Sequence, residues 1–396
     1  MTARRAVPII GDYTSGSAEQ PHVVVFSHAW VGGAGWFVFE LARCMAGAGV
    51  LTLLVCPTAE PIAREPRHPN LSRISVRQGA QGGGSKVHRA IGALIRMGVG
   101  FLAIARARLH AKTFLVTHLS WLLPAVLQFL WIRILFGSLV FVVHDGTPHA
   151  WSFPRILRGF ERWLLRLTYL LPSHLVTLTH IAREELISIY GISPAKITVI
   201  PHGAYESGEP TLPPGNNKVL VFGMLRRNKR ILETIEAMRL VDAASPVSLV
   251  IAGAPHAEDL GYWDECERAL EGLSDRVRTE IGFVPETRIP ELMAEIDAIV
   301  LPYEEFSSQS GVAILAAFAE RLLICTAAGG IGELMEAGLE SVTVATPVTP
   351  RTIADAFSVF AATPVAERRD MAARSHEALS EYLSWGRIAK EYVKFI

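Results

Sequence analysis

The fold is decided by residues 22–57, HVVVFSHAWVGGAGWFVFELARCMAGAGVLTLLVCP. The β-branched residues at its start predict a buried strand. After the glycine turn at Gly32 and Gly33, the spacing of Phe37 and Leu41 predicts a helix, and LTLLVCP predicts a second buried strand. A strand, a glycine turn, a helix and a second strand together form the opening unit of a parallel α/β sheet.

The same alternation of strands and helices occurs twice along the chain. It runs to about residue 205, stops in the Pro- and Gly-rich stretch 206–217, and begins again at KVLVFGML. At 396 residues the chain exceeds the usual range of ~100 to 200 residues for one domain. We therefore predict an α/β protein with two Rossmann-like, doubly wound parallel sheets facing each other across a cleft. The first domain is 1–205 with a flexible leader, 206–217 is the linker, and 218–378 is the second domain.

Charge is distributed unevenly between the two halves. Residues 1–200 hold 20 Lys and Arg against 9 Asp and Glu, and the rest holds 18 against 29, although the chain has 38 of each sign. A basic half points to an anionic partner such as lipid headgroups or nucleic acid, or else to a chance distribution over solvated faces. Two basic, apolar helical stretches, 86–112 and 153–171, resemble interfacial helices, which favours an anionic membrane surface and no nucleic acid.

Several features predict a cytoplasmic protein on the inner face of the membrane. The first twenty residues lack the long apolar segment of a signal peptide. The apolar run 114–143 is interrupted by Pro, Gln, Arg and Gly, which favours a strand, a helix and a strand over a membrane span. Widely spaced cysteines are typical of reduced core thiols. The sequence has no P-loop, GxGxxG or HExxH motif, which argues against nucleotide hydrolases of the P-loop type, NAD enzymes and zinc peptidases.

The stretch VFGMLRRNKR, residues 221–230, is the first candidate for ligand chemistry. Gly223 at the end of a predicted strand permits close approach of a ligand to the backbone, and cations follow at Arg226 and Lys229. A guanidinium and an ammonium beside a glycine suit a diphosphate. The alternative is a solvated turn between a strand and a helix.

Two further stretches follow predicted strands in the second domain. LPYEEFSSQSG puts hydroxyl and amide groups before a helix, where backbone N–H groups can bind an anion. The residues are Ser308, Gln309, Ser310 and Gly311. Their alternative role is plain helix capping. CTAAGGIGEL allows a tight turn at Gly330, and Glu333 could accept hydrogen bonds from sugar or ribose hydroxyls or act only as a first-turn acid.

In the first domain, VVHDGTPH ends a predicted strand with His144 and Asp145. An imidazole or carboxylate at the carboxyl end of a strand could take a proton from an acceptor hydroxyl. A turn-capping Asp with a core His is the alternative. The turn at Gly32 and Gly33 offers room for a phosphate or an acceptor.

Six stretches in this order resemble the GT-B glycosyltransferases, most closely the family 4 type and its exopolysaccharide-assembling relatives. They are FSHAWVGGAGWFVFELARCMAGAG, KITVIPHGAY, FGMLRRNKR, DAIVLPY, AAGGIGEL and SWGRIAKEY. The resemblance implies that the second domain binds a nucleotide sugar, UDP- or GDP-linked, as co-substrate and that the first binds the acceptor. It also implies that the last segment, 379–396, crosses back to the first domain, and that no metal or other cofactor takes part.

The resemblance assigns roles to matching positions. It places Arg226 and Lys229 at the donor diphosphate and His144 beside the donor sugar. Gly33 matches a glycine near the phosphates or the acceptor. Glu333 matches the acid that follows the double glycine.

The chain departs from the family pattern at one helix. The family usually has two glutamates separated by seven residues there, and matching this pattern at Gly311 puts Ser308 and Ala316 at these positions. FSSQSG resembles a subgroup in which Ser and Gln replace the acids, which places Gln309 and Ser310 at the phosphates. Retention of the anomeric configuration and inversion with Asp145 as base both stay open.

The expected function is transfer of a sugar from a nucleotide diphosphate to a lipid-linked or glycan acceptor in surface or exopolysaccharide biosynthesis. One alternative is a catalytically silent protein that binds glycans or nucleotides, suggested by the missing glutamates. A second is a nucleotide-sugar epimerase, which would need more carboxylates than the first domain contains.

Overall fold

The computed structural model describes residues 10–14, 21–28, 33–57, 68–76, 86–119, 121–148, 151, 153–204, 210–256, 259–304 and 306–396. The chain divides into two compact units, Met1–Gly203 with Trp385–Ile396, and Ala204–Ser384. Each unit has its own buried apolar core. Residues 379–384 lie in the second unit, although the sequence predicts them as part of the last segment, 379–396. The domain bounds predicted from the sequence stay a prediction.

The first unit is built on an eight-stranded sheet within the described residues. Its strands are β1 (Ile10–Thr14), β2 (Val23–Phe26), β3 (Thr52–Pro57), β4 (Leu71–Val76), β5 (Thr113–Val116), β6 (Ser138–Val143), β7 (His174–Thr177) and β8 (Ile197–Val199). Its helices are α1 (Gly33–Gly47), α2 (Lys86–Arg108), α3 (Leu122–Ile134), α4 (Arg158–Leu170), α5 (His180–Ser188) and, from the chain end, α13 (Trp385–Val393). The strand order is β1-β4-β3-β2-β5-β6-β7-β8, and all neighbours are parallel except β1 and β4.

Connection handedness places the helices on the two faces of this sheet. Parallel crossovers are right-handed, so the connection from β2 to β3 and those from β4 to β8 lie on opposite faces because they run in opposite directions along the sheet. Accordingly, α2, α3, α4 and α5 share one apolar core with the strands. Helix α13 packs against α1.

The second unit is built on a six-stranded, wholly parallel sheet within the described residues. Its strands are β9 (Lys218–Phe222), β10 (Ser248–Gly253), β11 (Val277–Ile281), β12 (Ala298–Leu301), β13 (Leu322–Cys325) and β14 (Ser341–Thr343). Its helices are α6 (Ile231–Leu240), α7 (Leu260–Ala269), α8 (Ile289–Glu295), α9 (Gly311–Phe318), α10 (Gly330–Glu336), α11 (Pro350–Ala362) and α12 (Val365–Tyr382). The strand order is β11-β10-β9-β12-β13-β14.

Each sheet has one point where the direction of winding reverses. In the first unit it lies between β2 and β5, and in the second between β9 and β12. Ligands of doubly wound sheets bind outside the carboxyl ends of the strands at this point. The fold therefore predicts where the functional residues of each unit should gather.

The structure confirms the predicted α/β fold with two Rossmann-like parallel sheets. It also confirms that the apolar run 114–143 forms a strand, a helix and a strand, here β5, α3 and β6. All four cysteines are free thiols, and Cys56, Cys266 and Cys325 are buried. Within the described part of the chain, no helix has both the length and the apolarity needed to cross a membrane.

Candidate active-site residues

Gly223 marks the end of β9 at the reversal point of the second unit. Its φ of +91° is in the left-handed region that favours glycine. A Cβ at this position would lie 3.1 Å from Lys229 Nζ and 3.9 Å from Val312 Cγ2. The end of β9, the start of α9 and the turn with the cations Arg226, Arg227, Lys229 and Arg230, called the basic turn, are therefore brought together within a few ångströms.

The four cations of the basic turn fall into two kinds. Arg227 stacks on the ring of Tyr262 and forms a bidentate pair with Glu265, its nitrogens 3.1 Å from the carboxylate oxygens. Arg230, with a left-handed φ of 52°, pairs with Glu233 and Glu304.

Arg226 and Lys229 differ from these neighbours. Neither forms an ion pair with any carboxylate among the described residues, and Arg226 Nε is buried without a hydrogen-bond partner there. Lys229 donates to the carbonyl oxygen of Phe222 at 2.6 Å. Two half-buried cations without counter-charges beside a glycine can accommodate an anion.

The protonation of Lys229 is sensitive to such an anion. Burial, and then the neighbouring charge of Arg226, lower the pKa of Lys229 to about 7. An ammonium in this state is only partly charged at neutral pH. A negative charge close to Nζ would raise this pKa, so that Lys229 becomes fully protonated.

The start of α9 supplies backbone donors on the other side of the reversal point. Ser310 caps the helix, its hydroxyl accepting from the N–H of Ala313 at 3.2 Å, so the capping role considered from the sequence is real. Ser308 and Ser310 are buried, and Tyr303 hydrogen-bonds to Ser310. The amides of Gly311 and Val312 have no acceptor within the helix itself.

The double-glycine turn after β13 lies against the same loop. Gly329 has φ 56° and ψ −132°, and a Cβ there would overlap the carbonyl oxygen of Phe306. The hydroxyl of Thr326 donates to the carbonyl oxygen of Tyr303. Gly330 begins α10 and Glu333 lies half-buried in its first turn. The third predicted motif thus packs against the second.

Histidines gather at the carboxyl edge of the sheet in the first unit. His28 follows β2, His118 follows β5, His144 follows β6 and His202 lies beyond β8. His118 and His144 stack with ring centroids 3.8 Å apart. The ring of Phe37, on α1, lies 5.0 Å from His144 and 4.8 Å from His202.

The histidine cluster is uncharged at neutral pH. Burial lowers the pKa of His28, His118 and His202 to about 4, and it lowers the pKa of His144 well below its usual value, with further lowering from His118 and His202. His144 hydrogen-bonds to the backbone of Thr117. Its buried Nε2 has no partner among the described residues, so it can accept a hydrogen bond from a hydroxyl group.

The other residues predicted for the first domain are placed as follows. Asp145 is half-buried directly after His144. Gly33 begins α1, and a Cβ there would meet no atom of the described residues within 4 Å, so crowding by these residues does not explain this glycine. Gly32 lies outside the described residues.

Three members of the histidine cluster and one aromatic neighbour were not predicted from the sequence. His28, His118 and His202 each lie in the last part of a predicted strand, which was the available signal. Trp385, within the quoted SWGRIAKEY, lies 6.3 Å from His202 between ring centroids. In the part of the chain that the structure describes, no three His, Cys, Asp or Glu side chains are grouped so that they could hold a metal ion.

Two family models match the chain. Residues 31–206 match Glycosyltransferase Family 4, and residues 216–362 match Glycosyl transferases group 1. The chain belongs to the family 4-like GT-B glycosyltransferases. This glycosyltransferase is 26% identical over 403 residues to glycogen synthase of Mycobacterium tuberculosis, covering 94% of this chain and 91% of that protein.

Solved structures of similar fold include a complex of Anabaena HepE and a sucrose-phosphate synthase. Anabaena HepE in complex with UDP and glucose has a TM-score of 0.72 at 16% identity, covering 95% of this glycosyltransferase and 99% of that chain. Sucrose-phosphate synthase of Thermosynechococcus elongatus has a TM-score of 0.71 at 16% identity, covering 95% and 98%. At this identity the likeness supports the GT-B fold.

Proposed function

We propose that the enzyme transfers a sugar from a nucleotide diphosphate to a lipid-linked or glycan acceptor in surface or exopolysaccharide biosynthesis. One observation carries the donor half of this proposal: Arg226 and Lys229 lack carboxylate partners in the described structure, while Arg227 and Arg230 beside them are paired. A diphosphate supplies the missing negative charge.

The donor site combines side chains and backbone. Arg226 and Lys229 bind the diphosphate from one side, and the amides at Gly311 with the polar residues before it, Ser308, Gln309 and Ser310, bind it from the other. Gly223 leaves room for the phosphates and Gly330 shapes the neighbouring turn, while Glu333 accepts from sugar or ribose hydroxyls. The UDP in the HepE complex supports a uridine donor, and GDP-linked sugars are the alternative.

The histidine cluster supplies the proposed sugar-binding residue of the first unit. His144 Nε2 accepts a hydrogen bond from a donor-sugar hydroxyl, which fixes the orientation of the sugar. Asp145 is the candidate base if the reaction inverts the anomeric centre. The turn at Gly32 and Gly33 contributes to the acceptor side. The cations of the donor site take over the charge stabilisation that a metal gives in other transferases.

The proposed location of the enzyme in the cell follows from its proposed lipid-linked acceptor. The enzyme meets cytoplasmic nucleotide sugars and works on the inner face of the membrane, where a lipid-linked acceptor is held. The excess of basic residues in the first half of the chain supports this placement.

The proposal is tested by incubating the purified enzyme with a panel of UDP- and GDP-linked sugars and measuring release of nucleoside diphosphate, with and without a polyprenyl-phosphate sugar. One donor should give slow release that the acceptor accelerates. A catalytically silent binder would release none, and an epimerase would change the sugar without releasing the nucleotide. Either result would contradict the proposal.

A further inference from the structure

Two helices of the first unit expose apolar stripes on the side that faces away from the sheet. On α3 the stripe consists of Leu123, Leu127, Leu130 and Ile134, spaced by four, three and four residues, so that they lie on one side of the helix. Ile134 is 63% exposed. The opposite side of α3 is already buried in the core.

The neighbouring helix repeats the arrangement. Ile156 in the turn before α4, with Phe160 and Trp163 on α4, forms a second stripe at helical spacing, with Ile156 90% and Trp163 53% exposed. The rings of Phe160 and Trp163 stack with centroids 5.7 Å apart. The side of α4 that faces the core is buried through Leu164 and Leu165.

The two stripes belong to one surface. Helices α3 and α4 pack against each other, and both cover the same face of the sheet. Their outward sides therefore point in the same direction. We call the four residues of α3 and the three residues at α4 the outward apolar face. Single exposed apolar side chains are normal on a soluble protein, but seven of them in two stripes on adjacent helices favour a binding surface.

The charges around the outward apolar face are of one sign. Between Lys86 and His144 the sequence contains no Asp or Glu. The acid on α4, Glu161, is buried and accepts the N–H of Phe153 at 3.1 Å. Exposed arginines flank the apolar stripes, and none of them forms an ion pair among the described residues. They are Arg133, Arg155, Arg158, Arg162 and Arg166.

Ion pairs are common in the second unit, although seven of its thirteen arginines form none among the described residues. Six of its arginines, 227, 230, 278, 288, 351 and 374, each pair with a carboxylate. No described carboxylate neutralises the arginines beside the outward apolar face, although Arg133 and Arg166 donate to backbone carbonyl oxygens and Arg162 lies over the ring of Trp151. Their positive charge can therefore attract an anionic partner outside the chain. An anionic partner that also buries Leu, Phe and Trp side chains is a lipid bilayer with acidic headgroups.

We infer that the outward apolar face of α3 and α4 inserts into the interfacial region of an anionic membrane. This inference rests on the proposed function, because it names the surface by which the enzyme reaches a lipid-linked acceptor. It assigns the main contact to α3 and α4 in place of the basic helix α2. Trp163 lies at the headgroup level, the leucines lie deeper, and the arginines contact phosphates.

The test is flotation of the full-length enzyme with vesicles of phosphatidylcholine, with and without one third phosphatidylglycerol. The variant Ile134→Ser with Trp163→Ser removes one apolar side chain from each stripe and should weaken binding at least about tenfold. The matched control, Leu240→Ser with Val359→Ser, changes two apolar residues of the second unit that are 49% and 57% exposed, and should bind as the wild type does.

A charge variant separates the electrostatic contribution to membrane binding from the apolar contribution. Arg155→Gln with Arg158→Gln should weaken binding only to vesicles that contain phosphatidylglycerol, by about fivefold for each removed charge. Nucleoside diphosphate release without vesicles should be the same in all variants, so loss of membrane binding is distinguishable from failure of the transferase proposal.

Three results would overturn the inference. The wild type could fail to float with anionic vesicles, or the variant with Ile134→Ser and Trp163→Ser could float equally well. Alternatively, light scattering without vesicles could show a wild-type dimer and a monomeric Ile134→Ser, Trp163→Ser variant, in which case a second copy of the chain covers this face.

Discussion

At the scale of single residues, the unusual feature of the proposed donor site is a lysine whose charge is incomplete until a ligand arrives. The pKa of Lys229 is lowered to about 7 by burial and by Arg226. Binding a diphosphate favours the charged form, so above pH 7 the complex should take up a proton. Affinity should fall as pH rises because that proton becomes harder to obtain.

Calorimetry measures this uptake directly. Titrating UDP at pH 8 in buffers of different ionisation enthalpy should show uptake approaching one proton for the wild type and none for Lys229→Met. Equal uptake by both proteins would place the protonated group elsewhere.

The histidine cluster gives a second prediction at this scale. The pKa of His28 in the folded state is about 4, below its ordinary value of 6.5. The unfolded chain therefore binds more protons between these values, and the free energy of unfolding should decrease as pH falls from 6.5 towards 4. Each such histidine contributes up to about 1.4 kcal/mol per pH unit.

Urea unfolding across this pH range checks the effect. His28→Gln should unfold with a smaller pH slope than the wild type, because one buried imidazole has been removed. A wild-type stability that is flat from pH 6.5 to 4 would contradict the neutral cluster.

The sequence predicted the residues of the basic turn, but it did not predict which of these cations pair with carboxylates and which do not. Gly223, Arg226 and Lys229 follow from local pattern. The partners of Arg227 and Arg230 include Glu265 and Glu304, which lie 38 and 74 positions away along the chain. Only the order of strands in the sheet brings those carboxylates to the turn, and no local pattern contains that information.

At the scale of elements, the start of α9 has both a structural and a proposed functional role. Ser310→Ala removes the cap and should lower the free energy of unfolding by about 0.5–2 kcal/mol. It should also weaken UDP binding, since the helix start is proposed to hold the phosphates. The hydroxyl of Thr349 caps α11 in a capping box in the same unit.

Thr349→Ala is therefore the matched control. Urea unfolding should show a similar loss of stability in both variants, while calorimetry should show weaker UDP binding only for Ser310→Ala. If both variants bound UDP as the wild type does, α9 would have a capping role alone.

Elements were predicted well where each had a buried, periodic sequence, as in β5, α3 and β6. The same apolar character made it impossible to predict the outward stripe on α3 from the sequence. WLLPAVLQFLWIRI is apolar on most sides, so its sequence indicates burial without indicating which side remains outside. Which side of α3 is exposed depends on the helices and strands that pack against it in the fold.

At the scale of the whole molecule, two units with separate cores should unfold in separable steps. UDP should stabilise only the step that belongs to the second unit, by about 2.7 kcal/mol at a hundred times its Kd, which corresponds to roughly 5–10 °C in Tm.

Two variants identify the steps. Arg321 is buried and donates to the carbonyl oxygens of Met293 and Thr211, so Arg321→Met should lower the step that UDP raises. Tyr169, buried in the first unit, donates to the carbonyl oxygen of Gly146, so Tyr169→Phe should lower the other step. Differential scanning calorimetry checks both. If UDP raised the step lowered by Tyr169→Phe and left the other unchanged, the donor assignment would be wrong.

The most direct test of the central claim is the affinity for UDP, measured by calorimetry, of three single variants within one turn. Arg226→Gln and Lys229→Met should each weaken binding by at least about tenfold, because each removes a charge-assisted hydrogen bond to the diphosphate. Arg227→Gln, whose charge is already paired with Glu265, should bind within about threefold of the wild type. An equal loss in all three variants, or no loss at Arg226 and Lys229, would contradict the account.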